Sequence, residues 1–168
     1  YTNLLKINSE SSLALCNRGI SKFKSTDFKG AIDDLTQALK INPEIEIAYS
    51  YLSLSKEKLE DYKGAIQDCT NLLEINPEEE TAYFNRAVYK EKSEDYKGAI
   101  QDYSKAIDIN PKNIIYLENR ATLKRILEDN IGAIEDYTKA LEIDPYFEEG
   151  YLFKVARFSR YIIFFGLM

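Results

Sequence analysis

The residues of this chain that could do chemistry are mainly carboxylates. Asp33 and Asp34 are adjacent, and Glu78, Glu79 and Glu80 form a run, so acid–base chemistry is the first hypothesis to consider. The sequence contains no histidine, which removes the commonest general base and the commonest zinc ligand. A nucleophile–base pair would then need an unusual lysine or carboxylate arrangement. We therefore predict a protein that is not an enzyme, with no cofactor and no metal site.

Other candidate motifs have simpler interpretations. Cys16 and Cys69 lack a Cys-x-x-Cys spacing and are interpreted as small core or groove residues of a reducing compartment. The Lys-Gly-Ala segments have one glycine per turn and no GxxxxGK[ST] pattern, so they are not phosphate-binding loops. A formal net charge of −6 argues against nucleic acid, whose binding depends on clustered Lys and Arg. No apolar stretch reaches the ~20 residues that a membrane span needs.

The elements that position these residues recur every 34 residues. Each period has an aspartate before a Gly-Ala pair, followed by an apolar segment that ends in Asn-Pro or Asp-Pro. The aspartate favours the N-cap of a second helix, and the proline ends that helix. Apolar residues between them fall at helical spacing. The prolines are Pro43, Pro77, Pro111 and Pro145, and the aspartates are Asp27, Asp61, Asp95 and Asp129.

Each period therefore predicts two antiparallel helices, near 14–26 and 29–41 and at the equivalent positions of later periods. Segment 1–11 is interpreted as the end of a preceding repeat, with Ser9 where proline would stand. Residues 148–168 are predicted to form a terminal helix with an apolar tail, which gives ten helices in a single array over 1–168. A lone hairpin cannot bury its apolar face, so the hairpins must stack. Full repeats are predicted at 12–45, 46–79, 80–113 and 114–147.

A helix–turn–helix of this length, with a small residue in the first helix, alanine in the second and a terminal proline, resembles the tetratricopeptide repeat. The small residues are Gly19, Ser53, Ala87 and Ala121, and the alanines are Ala31, Ala65, Ala99 and Ala133. The resemblance covers nearly the whole chain and implies an all-α fold, a right-handed α-solenoid of antiparallel helix hairpins. Two departures are apolar residues in place of the family's tryptophan and lysines where an aromatic is common. These residues are Leu15, Tyr49, Tyr83 and Leu117, and Lys22, Lys56, Lys90 and Lys124.

The resemblance also implies that the first helices build a concave binding wall. Asparagine suits such a wall because its amide offers a donor and an acceptor to a peptide backbone. The alternative interpretation is that these amides only face solvent or cap a neighbouring helix. Arg86 and Arg120 are excluded because their helical phase turns them away. The central positions, here named the first-helix stripe, are Asn17, Tyr51, Asn85 and Asn119. The predicted peptide-binding residues are Asn17, Tyr51, Phe84, Asn85, Asn119, Leu54 and Val88.

Family members that bind acidic C-termini of heat-shock chaperones use Lys, Asn and Arg on these helices as a two-carboxylate clamp. Of the matching positions here, only Asn85 in the second window has the required type, and none is basic. A chaperone-tail adaptor is therefore disfavoured, and a partner recognised through its backbone and apolar contacts is expected. The positions are Cys16, Ile20, Tyr51, Thr81 and Asn85, then Ser50, Leu54, Asn85, Ile115 and Asn119.

The predicted function is that of a cytoplasmic scaffold or adaptor that binds a peptide segment of a partner protein. Two alternatives stay open: a self-assembling structural module, with homo-oligomers formed through 148–168, and the repeat region of a larger multidomain protein. The apolar tail 161–168 is expected to pack onto the last repeat or onto a second copy. Recurring lysines and aspartates predict ion pairs between the two helices of each hairpin. These are Lys22, Lys56, Lys90 and Lys124 with Asp34, Asp68, Asp102 and Asp136.

Overall fold

A computed structural model describes residues 2–147, with side chains from Ser11 onward, as eight α-helices and no strand. This confirms the predicted all-α helical-repeat fold. The helices form two compact units, α1 to α5 and α6 to α8. Their bounds are α1 (Thr2–Lys24), α2 (Phe28–Ile41), α3 (Glu46–Glu57), α4 (Tyr62–Ile75), α5 (Glu80–Lys92), α6 (Tyr96–Ile109), α7 (Ile114–Ile126) and α8 (Asn130–Ile143).

Helices that are neighbours in sequence pack together within each unit. In the N-terminal unit every helix contacts the next, and α1 also contacts α3. In the C-terminal unit α6 contacts α7, and α7 contacts α8. The close approach depends on small residues, since a Cβ added at Gly19 would lie 2.7 Å from Leu35 Cγ. The predicted second-helix alanines and the small first-helix residues are buried.

Each hairpin turn ends its first helix with a residue in the left-handed conformation. Thr26 has a φ of 65°, and Glu60, Glu94 and Glu128 have φ values of 61°, 63° and 64°. In the first turn the Thr26 N–H donates to Phe23 O and the Asp27 N–H donates to Lys22 O, both at 2.9 Å. This is the Schellman pattern, which satisfies the last carbonyls of the helix.

The aspartate that follows caps the second helix, as predicted. Its side chain accepts a hydrogen bond from the glycine N–H three residues later, at 2.9 Å for Asp27 and Gly30, and likewise at Asp61 and Asp129. A Cβ added at Gly30 would lie 2.1 Å from Asp27 Oδ2. The repeated glycine therefore leaves room for the capping carboxylate.

The first helix differs from the prediction. A break near Ser9 was expected between segment 1–11 and the first full repeat, but α1 is one continuous helix of 23 residues. The expected break is wrong because Ser9 keeps the backbone N–H that proline lacks and has no ring to clash with the preceding turn. The predicted terminal helix and tail, 148–168, lie outside the described residues.

Candidate functional site

The predicted ion pairs between paired helices are confirmed in three hairpins. Lys22 Nζ lies 2.8 Å from Asp34 Oδ2, Lys56 Nζ lies 2.7 Å from Asp68 Oδ2, and Lys124 Nζ lies 2.9 Å from Asp136 Oδ2. All three carboxylates are buried. These lysines therefore bind the second helix of their own hairpin.

Two arginines add a second, bidentate contact to the same carboxylates. Arg18 Nε and Nη2 each donate to Asp34 at 2.7 Å. Arg120 Nε and Nη2 donate to Asp136 at 2.9 and 2.6 Å, and its Nη1 donates to Ser104 Oγ at 2.9 Å. The exclusion of Arg120 from the predicted binding residues agrees with these internal contacts.

Arg86, the other excluded arginine, also points to an internal partner. Its Nη1 donates to Thr70 Oγ1 at 3.1 Å, and its guanidinium carbon lies 5.5 Å from the centre of the Tyr83 ring. Both partners belong to the N-terminal unit, on α4 and on α5 itself. A planar guanidinium suits such combined stacking and hydrogen bonding.

The pKa values of two buried carboxylates in the N-terminal unit are shifted in opposite directions. Hydrogen bonds from Arg18, helped by Lys22 and opposed by burial, lower the pKa of Asp34 to about 2. Burial is the main cause that raises the pKa of Asp68 to about 6, although Lys56 acts in the opposite direction. The second hairpin has Leu52 at the position that Arg18 occupies in the first.

The N-terminal unit brings six of the seven predicted binding residues into one body. Asn17 is exposed on α1, whereas Tyr51 on α3 and Asn85 on α5 are half-buried. The Tyr51 ring packs edge-on against Phe23 of α1, with 5.3 Å between ring centres. Tyr51 therefore connects the first helices of two successive hairpins. The remaining three, Phe84, Leu54 and Val88, are half-buried.

Exposed aliphatic side chains lie beside the first-helix stripe. Leu13 and Ile47 are 50 % and 51 % exposed, and each precedes a stripe residue by four positions on the same helix, Asn17 or Tyr51. Residues four apart are neighbours on a helix surface. The N-terminal unit thus presents apolar and amide groups together.

Cys16 and Asn119 are less available for binding than the stripe pattern predicts. Cys16, expected beside the stripe, is 1 % exposed and belongs to the core between α1 and α2. Asn119 lies in the C-terminal unit, where its Nδ2 donates to Ile115 O of its own helix at 2.7 Å. Part of its amide is therefore used locally. Within the described residues, the Asn85 side chain has no such bond.

Residues 2–147 contain no helix that is long and apolar enough to cross a membrane. In the same part of the chain, no group of three or more His, Cys, Asp or Glu side chains could hold a metal ion. Cys16 and Cys69 are free and buried, and burial raises the pKa of the Cys16 thiol.

Family models described as the tetratricopeptide repeat match residues 81–113 and 116–147. No curated protein sequence matches the chain. Residues 81–113 and 116–147 are therefore tetratricopeptide repeats, and the eight described helices have the all-α fold of such repeats.

Solved structures with this fold include MamA. One MamA structure has a TM-score of 0.79 at 21 % identity, covering 84 % of this chain and 78 % of that chain. Another, residues 41 to the end of MamA from Desulfovibrio magneticus RS-1, has a TM-score of 0.74 at 22 % identity, covering 82 % and 77 %. The first repeat domain of Spaghetti (RPAP3), bound to the HSP90 peptide SRMEEVD, has a TM-score of 0.68 at 21 % identity, covering 71 % and 95 %.

Proposed function

We propose that this chain is a cytoplasmic scaffold whose N-terminal unit binds an uncharged, partly apolar segment of another protein along the first-helix stripe. The observation that carries the proposal is the pairing of exposed Leu13 and Ile47 with the amide and aromatic groups beside them. Scaffold function itself is the general role of proteins with this repeat. Catalysis finds no support in the groups at this surface.

The chemistry of the stripe fits a peptide backbone more than a charged side chain. Asn17 and Asn85 each offer an amide donor and acceptor to an extended chain, whatever its sequence. Tyr51 presents a large, rigid surface of the type that often dominates binding energy. Two lysines of these helices, Lys22 and Lys56, are engaged with Asp34 and Asp68.

The structurally similar RPAP3 domain supports peptide binding by this fold, because it is bound to an HSP90 peptide. That peptide, SRMEEVD, is acidic. The stripe and its flanking positions in the N-terminal unit hold Asn, Tyr, Leu, Ile, Phe, Val, Thr, Ser and Cys, and none of them is charged. We therefore propose a partner segment with apolar side chains in place of carboxylates. The free cysteines are consistent with the proposed cytoplasmic location.

The test begins with a peptide selected from a displayed library against the whole chain, with affinity measured by calorimetry. Asn85→Ala should weaken binding about 2- to 10-fold, the value of one or two neutral hydrogen bonds. Ile47→Asp should weaken it at least about tenfold, because it places a charge beside bound apolar groups.

The matched control is Asn71→Ala. Asn71 lies on α4, a second helix of the same unit, where its Oδ1 accepts from Gln67 Nε2 at 2.9 Å. This variant should bind the peptide as the natural chain does. If Asn71→Ala weakens binding and Asn85→Ala does not, the peptide occupies another surface and the proposal fails.

A further inference from the structure

The turn between α7 and α8 carries three exposed apolar side chains. Ile126, Leu127 and Ile131, here named the turn patch, are 50 %, 40 % and 68 % exposed. All three lie in the C-terminal unit. Large apolar side chains that are exposed and grouped within one turn are candidates for a contact site.

The turn patch departs from the other turns of the same chain. At the position of Ile126 the earlier repeats have lysine, and at the position of Ile131 they also have lysine. Lysine at these positions suits a turn that is exposed to water, whereas the fourth turn has isoleucine at both positions. The lysines are Lys24, Lys58 and Lys92 at the first position, and Lys29, Lys63 and Lys97 at the second.

One repeat further along the chain, the sequence departs from the pattern again. The positions equivalent to Leu127 and Ile131 are Tyr161 and Phe165. Where earlier turns have an acidic residue, an aromatic residue, lysine and glycine, the chain continues as Tyr-Ile-Ile-Phe-Phe-Gly-Leu-Met over 161–168. Apolar residues therefore occupy equivalent positions in the fourth turn and in segment 161–168.

The length of chain after α8 matches the distance back to the turn patch. α8 has 14 residues and spans about 21 Å, a distance that a segment of 14 residues is long enough to cover. Tyr161 follows Phe147 by 14 residues. Phe147 itself stacks on Tyr137 of α8, with 6.5 Å between ring centres, so the chain leaves α8 against its own unit.

We propose that the tail 161–168 binds the turn patch of the same chain and covers it. The contact replaces the hairpin turn of a further repeat, and apolar burial is its driving force. It covers the turn between α7 and α8, which would otherwise expose apolar surface to water. The occupant is this chain's own tail, and a second copy is the competing outcome of the test.

A double-substitution cycle in the full chain tests the contact. Ile131→Lys restores the residue of the other three turns and, with the tail bound, should lower the melting temperature by several degrees. Phe165→Lys should do the same, and the two together should cost little more than either alone. Additive shifts, or no shift from Phe165→Lys, would overturn the proposal. Ile75→Lys, at an exposed isoleucine of the other unit, is the control and should not couple to Phe165→Lys.

Disulfide trapping supplies a second measurement that does not depend on stability. Ile131→Cys with Phe165→Cys should form an intramolecular disulfide in dilute, mildly oxidised protein, as seen by peptide mapping. The control pair, Ile75→Cys with Phe165→Cys, should not. A disulfide formed mainly between two copies assigns the patch to a dimer and contradicts the proposal, as does the absence of any disulfide.

Discussion

The first and second hairpins follow the same plan but hold their buried carboxylates differently. Asp34, between α1 and α2, receives Arg18 and Lys22. Asp68, between α3 and α4, has Lys56 at 2.7 Å, while its Oδ2 receives no hydrogen bond of good geometry within the described residues. Repeat register decides which groups meet, and the residue at one position, Arg18 or Leu52, decides whether the buried carboxylate receives a bidentate hydrogen bond.

The physical reason is the competition between desolvation and pairing. A buried carboxylate loses water, which favours its neutral form, and regains stability only from well-placed cations and donors. The bidentate geometry of Arg18 supplies two charge-assisted bonds to Asp34. At Asp68 burial is the main cause of the raised pKa, and Leu52 offers no donor that could oppose it.

The largest expected difference between the hairpins is in pH dependence. The pKa of Asp68 is about 6 in the folded chain and about 3.9 in an unfolded one. Its contribution to stability is therefore complete below pH ~4 and is lost as pH rises through about 6, a change of about 2–3 kcal/mol. Urea denaturation between pH 4 and 7.5 should show this change in the natural chain relative to Asp68→Asn. A pH-independent difference between the two would contradict it.

At neutral pH, replacing the buried carboxylate should destabilise the first hairpin but not the second. Asp34→Asn should lower the free energy of unfolding by about 1–2 kcal/mol, a value reduced because the Arg18 side chain is 61 % exposed. The Asp34 contribution is present above pH ~4 and lost as pH falls through about 2. Asp68→Asn at pH 7.5 should cost nothing or stabilise. Denaturation measures the free energy of unfolding of each variant. An equal loss in Asp34→Asn and Asp68→Asn would contradict the difference between the two hairpins.

The smallest expected difference lies in the turns. Thr26 and Glu60 both have positive φ, a conformation that costs more for a β-branched residue. Thr26→Gly should therefore stabilise the chain by about 1 kcal/mol, and Glu60→Gly by about half of that. Thermal unfolding measures both gains. Lys24→Gly, within the last turn of α1, is the control and should destabilise; a loss at Thr26→Gly would show that the turn is unstrained.

Much of the fold could be predicted because its key groups recur in every repeat. The capping role of Asp27 and the Lys22–Asp34 pair follow from register alone. The contact of Arg18 with Asp34 was not predicted, although arginine recurs at this position in every repeat but the second, where Leu52 stands. The left-handed conformation of Thr26 was also not predicted, because the glycine that usually adopts it is absent at that position.

The candidate site was predicted less completely. The family resemblance gave the positions of the stripe, and the structure places six of the predicted residues in the N-terminal unit. It could not indicate that Cys16 turns into the core or that Asn119 bonds to Ile115 O. Such outcomes depend on small rotations and on local carbonyls within reach of an amide, which a repeat pattern does not encode.

The central claim is that the first helices of the N-terminal unit bind a peptide, and hydrogen exchange tests it most directly. The whole chain would be measured by mass spectrometry with and without a saturating selected peptide. The account predicts slower exchange in segments of α1, α3 and α5 that contain Asn17, Tyr51 and Asn85, with less change in α2 and α4. Protection confined to α2 and α4, or to the C-terminal unit, would contradict it.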